Sequence, residues 1–361
     1  MTLRRRLLEL DGLRALAILP VMAVHFTPFN GPLSALVPFT KAGWVGVELF
    51  FVLSGYLITG ILLDTVGTPG YYTGFIARRA VRIFPLYYVA LAGFTLVSWR
   101  QGLPLDGWDS PAWFALYAGN VPVALQNAWP RQGFLIVLWS LQIEEQFYLL
   151  YPALVKACSV NRLRTVLMSC VVLAPALRTA MTLLWPDHWL ACYVLMPCRM
   201  DALAIGGLVA LAVRERSVPA PRLLLWGLAS AAGVIVAMFV WRGTWMGDAV
   251  TRSVGYTLVD VASGLLLLLV LSVPDGIVAT LLRARPLVFT GQISYGLYLL
   301  HLPAAALLPI LVAPWFVIWP AGTTAMLTAF PAAFVAATLS WFTLERWGRG
   351  LRSRMDHSTS S

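Results

Sequence analysis

Charged residues are scarce in this sequence of 361 residues: Asp, Glu, Lys and Arg together make up 12% of it. An ordinary soluble domain carries about twice that share. Hydrophobic residues make up 59% and form long runs along the whole chain, without the strict alternation that β-barrel strands require. Because a backbone in lipid can satisfy its hydrogen bonds only in helices or closed barrels, the composition predicts an all-α, polytopic membrane protein. It excludes a soluble globular enzyme.

Lysine and cysteine are also rare. Only two of the 26 basic residues are Lys, and the 24 Arg occur mostly in short clusters between apolar runs. The net charge of +10 is therefore a signal of membrane topology and predicts no nucleic-acid partner. The four cysteines show no metal-ligand spacing and lie in or beside apolar segments, where a free thiol behaves as a small hydrophobe. We expect no metal and give Cys158, Cys170, Cys192 and Cys198 no role.

Ten apolar segments have about the length of a bilayer crossing, roughly 17–25 residues. The predicted spans are 9–28, 43–63, 82–99, 136–156, 163–185, 199–213, 222–241, 253–273, 287–312 and 316–344. Residues 1–6 precede the first span as in a secretory signal, but no small-residue cleavage site follows, so a retained first helix is predicted. We predict one integral-membrane domain over residues 1–354 and a short polar tail over residues 355–361.

The basic clusters determine the predicted orientation of these spans. A further apolar stretch, 110–127, contains two prolines together with Asn120 and Gln126. If it does not cross the membrane, 18 of the 26 basic residues fall on one side, as the positive-inside rule demands. Those residues lie within 4–6, 78–82, 156–164, 214–222, 283–285 and 346–354. We therefore predict ten spans with both termini in the cytoplasm, and an external or re-entrant segment at 110–127.

Ionisable residues inside the predicted spans are the main candidates for function. A charge at the centre of a spanning helix costs about 2.5–3.5 kcal/mol on insertion scales, so each needs a partner or a function. The candidates are Arg14, His25, Glu48, Glu144, Glu145, Arg178, Arg199, Asp201, Asp260 and His301. On the predicted topology His25, Glu48 and Glu144 lie near the same outer level. A neutral imidazole oriented by a carboxylate can take a proton from an alcohol, which favours a general-base role for His25 over a structural contact.

Arg79 and Arg82 lie three residues apart at the cytoplasmic start of the third predicted span. On a helix they share a face and can grip phosphate oxygens. An ordinary positive-inside anchor is by itself the simpler explanation of the pair. Arg14, a further cation inside the apolar zone near the same membrane face, favours instead a binding site for a polyphosphorylated cytosolic donor.

Small and polar residues at mid-membrane have structural and functional interpretations. Ser54 and Gly55 let helices approach closely, and packing is the default interpretation, but a thin gap beside Gly55 would also admit a narrow acyl-carrying arm. In the ninth predicted span, Ser294, Tyr298 and His301 form one polar stripe at i, i+4 and i+7. Such a stripe faces protein or water. Structural hydrogen bonding and contact with an acceptor substrate are both open for it.

Two pairs of opposite charges complete the set. Arg199 and Asp201 lie at the outer start of the sixth predicted span, where they neutralise each other or a neighbour, or hold sugar hydroxyls. Arg178 and Asp260 lie on different spans, and we predict that they pair with each other. Either pairing would lower the cost of placing a charge in lipid.

Seven segments form a set that covers both ends and the middle of the chain. They are LDGLRALAILPVMAVHF at 10–26, GWVGVELFFVLSGYLIT at 43–59, RRAVRIFPLYY at 78–88, LWSLQIEEQFYLLYP at 138–152, RMDALAIGG at 199–207, GQISYGLYLLH at 291–301 and LER at 344–346. In this order they resemble the acyltransferase-3 family of membrane acyltransferases. That family O-acylates sugars of bacterial surface polysaccharides and, in some members, antibiotics.

The resemblance implies a ten-helix domain in the bacterial inner membrane, among membrane lipids. It implies transfer of an acyl group, usually acetyl, from cytoplasmic acyl-CoA to a hydroxyl of a carbohydrate or glycosylated acceptor. Of the two adjacent glutamates, the family pattern selects Glu144 over Glu145. The predicted roles are catalysis by His25, Glu48 and Glu144, acyl-CoA binding by Arg14, Ser54, Gly55, Arg79 and Arg82, and acceptor binding by Arg199, Asp201, Tyr298 and His301.

The sequence departs from the family pattern at three points. Glu48 stands where many relatives carry Asp, which keeps the charge, and Trp347 stands where Pro is common. Many relatives also append a soluble esterase-like domain that handles the acceptor. This chain stops seven residues after Arg354, so we expect it to act alone or with a separate acceptor-handling protein.

Two other classes of function are open at this point. A proton-coupled transporter or flippase for a glycolipid or polysaccharide precursor would also carry intramembrane His, Glu and Arg. Such proteins tend to contain internal repeats, and the sequence shows no convincing repeat. A non-catalytic accessory subunit of a polysaccharide export complex would not need the polar set. The sequence does not choose between a general-base His25 and a transient acyl-His25, and it identifies neither the acceptor, the acyl chain length nor the oligomeric state.

Overall fold

The computed structural model of the protein describes residues 7–27, 32–312, 321–348 and 350. These residues contain ten helices of 15 residues or more, and no β-strand occurs among them. The helices are α1 (Leu8–Phe26), α2 (Val45–Thr65), α3 (Tyr71–Arg100), α4 (Leu138–Ala157), α5 (Val160–Leu184), α6 (Met200–Arg214), α7 (Pro221–Arg242), α8 (Tyr256–Ser272), α9 (Ser294–Val312) and α10 (Ala321–Phe342). Each predicted span corresponds to one of them, so the all-α prediction is confirmed.

Within the part of the chain that the structure describes, five helical stretches are long and apolar enough to cross a membrane. They are Ser34–Thr65, Tyr71–Arg100, Val160–Leu184, Pro221–Arg242 and Thr251–Ser272. The ten-span count and the cytoplasmic termini stay predictions. Six of the basic residues used to predict the orientation lie outside the described residues, as does the predicted tail at 355–361. These six are Arg4, Arg5, Arg6, Arg349, Arg352 and Arg354.

The stretch 110–127 does not form one spanning helix. It contains two short helices, Pro111–Ala115 and Asn120–Gln126, with Tyr117 between them in the left-handed region at φ +54°. Helices of five and seven residues are far shorter than the roughly 20 residues that a crossing requires. The prediction that this segment is not a transmembrane helix is therefore confirmed.

Two predicted boundaries are wrong. Helix α3 begins at Tyr71 rather than near residue 82, because the turns that precede Pro85 bury Tyr71 and Phe75 while they expose polar residues. The span predicted at 287–312 is interrupted at Ile293, between a short helix Arg285–Gln292 and α9. Mean hydropathy is an average over many residues, so it shows neither the early start of α3 nor the break at Ile293.

The chain folds into two compact units, and it enters each of them more than once. The first unit consists of Met1–Val24, Pro38–Gly67 and Leu150–Gln292. The second consists of His25–Val37, Thr68–Leu149 and Ile293–Ser361. The single domain expected over residues 1–354 stays a prediction.

Glycines bring the backbones of the first unit into contact. A Cβ atom on Gly55 of α2 would lie 2.0 Å from the carbonyl oxygen of Leu203 in α6, and one on Gly206 would lie 2.1 Å from that of Val52. Such distances are far below a van der Waals contact, so only glycine allows this crossing of α2 and α6. Close backbone packing places the buried side chains of the two helices at one level.

Candidate active site

Two imidazole rings meet in the second unit. His25 lies near the end of α1, and its Nδ1 is 3.1 Å from Nε2 of His301 in α9. The two ring centroids are 5.0 Å apart. His301 is fully buried, with the ring of Phe26 packed edge-on against it, whereas the His25 side chain is exposed. A buried imidazole therefore lies behind an accessible one.

The second ring nitrogen of His301 faces the backbone. Its Nδ1 lies 2.7 Å from the carbonyl oxygen of Tyr298 and 3.1 Å from that of Leu297. Because a carbonyl oxygen only accepts hydrogen bonds, Nδ1 of His301 must carry the proton. Burial disfavours the charged ring, so Nε2 of His301 keeps its lone pair and accepts a hydrogen bond from Nδ1–H of His25. These contacts assign the proton of a neutral His25 to Nδ1 and leave the lone pair on Nε2.

The polar stripe of α9 is buried along its length. Ser294 and Tyr298 are 5% and 7% exposed, and His301 follows one turn later. The hydroxyl of Tyr298 donates to the carbonyl oxygen of Val137 at 3.0 Å and lies 2.6 Å from Oγ of Ser140 in α4. The stripe predicted from spacing thus faces protein. Its hydrogen bonds within the protein support the structural interpretation of Tyr298, and acceptor binding by Tyr298 stays a prediction.

Arg79 and two glutamates form another polar group of the second unit. The guanidinium carbon of Arg79 lies 5.4 Å from the ring centroid of Tyr148 and 5.7 Å from that of Phe75, within cation–π range. Tyr148 donates a hydrogen bond of 3.1 Å to Oε2 of Glu144. Glu145 is buried and interacts electrostatically with Glu144 and Arg79. Arg79 is therefore held more firmly than a surface anchor would be.

The other two predicted donor-binding arginines are accessible. Arg82 is exposed on α3, three residues after Arg79. Arg14 belongs to the first unit, where its Nη1 donates to Oδ1 of Asp11 at 3.2 Å and its side chain is 21% exposed. A side chain that binds the phosphates of a soluble donor must be accessible, and these residues meet that requirement.

In the first unit, Glu48 and Arg199 form a buried ion pair. Nη2 of Arg199 donates to Oε1 of Glu48, and the two side chains are 1% and 0% exposed. The guanidinium carbon of Arg199 lies 4.1 Å from the ring centroid of Tyr256. The sequence argument placed Glu48 beside His25, whereas the partner found for Glu48 is Arg199. The exposure of Arg199 leaves little surface for the sugar hydroxyls that it was predicted to hold.

A second buried ion pair joins Arg178 of α5 to Asp201 of α6. Nη1 and Nη2 of Arg178 donate to the two carboxylate oxygens of Asp201 at 3.1 and 2.8 Å. Thr257 adds a hydrogen bond of 2.6 Å to Asp201. Of the two alternatives for Arg199 and Asp201, neutralisation by a neighbour is confirmed, since residues two apart on a helix do not face each other. The predicted pair Arg178–Asp260 is wrong, because Arg178 binds Asp201. Asp201 is 1% exposed and fully engaged, which also argues against its predicted contact with an acceptor.

On the side where a Cβ atom would lie, Gly55 packs directly against the backbone of Leu203 at the crossing of α2 and α6. This contact supports the packing interpretation of Gly55. Its predicted role in admitting an acyl-carrying arm stays a prediction. Ser54, its neighbour on α2, is half-buried, and its predicted role in binding the donor stays a prediction.

Sequence reasoning missed one central residue of the first unit. Tyr256 is fully buried, and its ring contacts both guanidinium groups, with Arg178 at 5.3 Å and Arg199 at 4.1 Å from its centroid. A tyrosine near the start of an apolar segment is common at a membrane interface, so the sequence carried no signal for this role. His301 was found by its spacing on α9, but not as the partner of His25.

A family described as an acyltransferase domain matches residues 7–346. The putative peptidoglycan O-acetyltransferase YrhL of Bacillus subtilis is 30% identical over 323 residues, covering 82% of this chain and 48% of that protein. The peptidoglycan O-acetyltransferase OatA of Listeria monocytogenes is 29% identical over 360 residues, covering 95% of this chain and 56% of that protein.

The O-acetyltransferase OatA of Staphylococcus aureus is 26% identical over 324 residues, covering 83% of this chain and 50% of that protein. The chain therefore spans about half the length of these relatives. No solved structure matches it. The family match covers all the segments that carried the resemblance and both units of the fold. The chain belongs to the acyltransferase-3 family.

Proposed function

We propose that the protein is a membrane-embedded O-acyltransferase. It moves an acetyl group from acetyl-CoA at the cytoplasmic face of the bacterial inner membrane to a hydroxyl of a carbohydrate acceptor. The family supports acyl transfer, and the relatives named peptidoglycan O-acetyltransferases support an acetyl group and an acceptor sugar of the peptidoglycan type. The comparisons give no support to a transporter or flippase.

The observation that carries this proposal is the contact between Nδ1 of His25 and Nε2 of His301. With its proton on Nδ1, His25 uses Nε2 as the base. Nε2 takes the proton of the acceptor hydroxyl while the hydroxyl oxygen attacks the thioester carbonyl. The carbon–sulfur bond then breaks, and the CoA thiolate leaves and takes the proton from Nε2. The products are the acetyl ester and CoA, with His25 returned to its starting state.

The same tautomer also serves the acyl-His25 route. There Nε2 attacks the thioester carbonyl, the carbon–sulfur bond breaks, and the CoA thiolate leaves and takes a proton from water. The acceptor hydroxyl then attacks the acetyl carbon, the bond to Nε2 breaks, and the hydroxyl proton returns to water. Both routes need a lone pair on Nε2. In either of them the orienting role that we first gave to Glu48 or Glu144 belongs to His301, because His301 is the partner found for Nδ1 of His25.

Arginines are proposed to hold the donor. Arg79 and Arg82 on α3 bind the phosphates of CoA, and donor binding by Arg14 stays a separate prediction. Arg79 is pre-oriented by the rings of Phe75 and Tyr148, which lowers the entropy lost when it binds. Glu144, which accepts the hydrogen bond of Tyr148, helps to keep that ring in place.

The test is acetyl transfer by purified protein with radiolabelled acetyl-CoA and peptidoglycan fragments. His25→Ala should abolish transfer and leave expression intact. The matched control is His188→Ala, at an exposed histidine that precedes the short helix Trp189–Val194, and it should keep the wild-type rate. Transfer by His25→Ala near the wild-type rate would show that the proposal is wrong.

The dependence of CoA release on the acceptor distinguishes the two routes and the class of function. Rapid release of one CoA per protein before acceptor is added indicates acyl-His25, whereas release only with acceptor indicates general-base catalysis. A transporter or an accessory subunit would release no CoA under either condition.

A further inference from the structure

Four exposed cations lie on neighbouring helix ends of the first unit. Lys156 is in the last turn of α4 and Arg162 in the first turn of α5, while Arg216 follows the end of α6 and Arg222 is the second residue of α7. All four side chains are exposed. None of them forms an ion pair with any residue that the structure describes. We call these four residues the basic patch.

Ion pairs hold the segments that carry the basic patch together. Arg164 donates to Glu215, which ties the start of α5 to the end of α6, and Arg214 donates to Asp64, which ties α6 to the end of α2. These contacts occupy Glu215, the only acidic residue in the connections from α4 to α5 and from α6 to α7. The four cations of the patch therefore have no counter-charge in their own segments, and they repel one another.

Arg216 has a backbone conformation that glycine usually adopts. Its φ is +57°, in the left-handed region. The N–H of Ser217 donates to the carbonyl oxygen of Ala212 at 2.9 Å, and the N–H of Arg216 donates to that of Val213 at 3.3 Å, which is the pattern of a Schellman motif. An L side chain is disfavoured at this position. Within the described ranges, the Arg216 side chain makes no hydrogen bond or ion pair that would offset the strain, which points to a ligand outside the protein.

Apolar surface begins directly beside the basic patch. Helix α7 is long and apolar enough to cross a membrane, and near its start Leu223, Leu225 and Trp226 are 58%, 52% and 72% exposed. Trp226 lies one turn after Arg222, on the same face of the helix. A tryptophan and an arginine near the end of an apolar helix are typical of the level of the lipid headgroups. A ligand that satisfies both surfaces has an anionic group and hydrocarbon chains.

We propose that the basic patch binds the phosphate of an anionic phospholipid, whose hydrocarbon chains lie against the exposed apolar side chains of α7. The guanidinium groups of Arg162, Arg216 and Arg222 donate to the phosphate oxygens, and Lys156 adds a further positive charge. A soluble polyphosphate would meet the cations but leave the apolar surface of α7 uncovered. A positive-inside anchor explains the charge of the patch, but it gives no reason for an arginine where glycine fits without strain. The site is separate from acetyl transfer, because it contains none of the residues proposed for that reaction.

The first test is the Kd of phosphatidylglycerol for the detergent-purified protein, measured by native mass spectrometry. Arg162→Gln and Arg222→Gln should each raise that Kd about fivefold, the loss expected for one arginine at a membrane surface. Arg162→Lys keeps the charge and should restore most of the affinity. The matched control is Arg100→Gln, at the exposed last residue of α3, and it should bind like the wild type. Phosphatidylcholine, which carries no net charge, should bind all of these proteins weakly.

The second test uses the strain at Arg216. In detergent without phospholipid, Arg216→Gly should melt about 1–3 °C above the wild type, because glycine adopts the left-handed conformation without strain. In nanodiscs of phosphatidylglycerol this advantage should disappear or reverse, because the variant lacks one ligand of the phosphate. If Arg216 had only a structural role, its replacement would lower the melting temperature under both conditions.

Three results would overturn the proposal. The first is an unchanged Kd for phosphatidylglycerol in both glutamine variants of the patch, or an equal affinity for phosphatidylcholine. The second is complete displacement of phosphatidylglycerol by an equal concentration of inorganic pyrophosphate, which would mean that a soluble anion is the ligand. The third is an Arg216→Gly variant that melts below the wild type in detergent, or that keeps its full advantage in phosphatidylglycerol nanodiscs.

Discussion

Replacing His301 by leucine tests the arrangement of the two imidazoles most directly. The substitution removes the acceptor of Nδ1–H of His25 and leaves that ring free to change its tautomer. The lost contact is one neutral hydrogen bond of 3.1 Å. Such a bond contributes about 0.5–1.5 kcal/mol, which corresponds to about a 2- to 13-fold lower kcat. The KM for acetyl-CoA should not change, because His301 is fully buried and acts through His25.

His301→Gln is the matched control for this substitution. The side-chain oxygen of glutamine can occupy the place of Nε2 and accept from Nδ1–H of His25, so kcat should stay close to the wild-type value. A purely structural role of His301 would not give this rescue. The assay is the rate of radiolabelled acetyl transfer at several concentrations of acetyl-CoA, with protein of equal thermal stability.

Nuclear magnetic resonance of nitrogen-labelled histidine supplies the second measurement. In the wild type and in His301→Gln, the proton of neutral His25 should lie on Nδ1, and in His301→Leu both tautomers should be present. The reasoning fails if His301→Leu keeps the wild-type kcat, if the two variants lose activity equally, or if wild-type His25 carries its proton on Nε2.

Three further predictions concern other parts of the structure. Replacing both Arg79 and Arg82 by glutamine should raise the Kd for CoA, measured by calorimetry, more than it lowers kcat; an unchanged Kd would make them topology anchors only. Gly55→Val should abolish the close approach of its helix and reduce the yield of folded protein in size-exclusion chromatography, whereas wild-type yield would contradict the packing argument. The hydrogen bonds from Arg131 lower the pKa of Asp109, so the stabilisation by this pair is present above the usual aspartate pKa and is lost as the pH falls below about 4. Limited proteolysis of the segment between α3 and α4 should therefore quicken in acid, and Asp109→Asn should quicken it already at neutral pH.

The helices could be predicted from the sequence because a backbone in lipid must satisfy its own hydrogen bonds, which a helix does within one segment. Among the described residues, each of the ten long helices overlaps one predicted span, and 110–127 contains no helix long enough to cross a membrane. The errors at Tyr71 and Ile293 have a common cause: a window of mean hydropathy detects the apolar centre of a helix, but it does not detect an amphipathic first turn or a short break.

The candidate site was predicted less completely. Spacing along a helix gives the depth of a side chain, so His25 and His301 were found as polar residues of their spans. Depth does not say which way a side chain points around the helix, so the sequence did not show that these two rings meet. The pairing of Arg199 with Glu48 escaped prediction for the same reason, since several buried carboxylates and guanidinium groups allow several pairings and only the packing of α2, α5 and α6 selects one.

The bidentate pair of Arg178 and Asp201 has a consequence for biogenesis. Ribosomal synthesis delivers Arg178 first, and its partner follows 23 residues later in the chain. An isolated α5 would carry an uncompensated guanidinium into lipid at a cost of about 2.5–3.5 kcal/mol. We therefore expect the translocon to release α5 and α6 as one hairpin. Truncating the nascent chain between them should leave α5 poorly inserted in a glycosylation-mapping assay, and extending it through Asp201 should restore insertion.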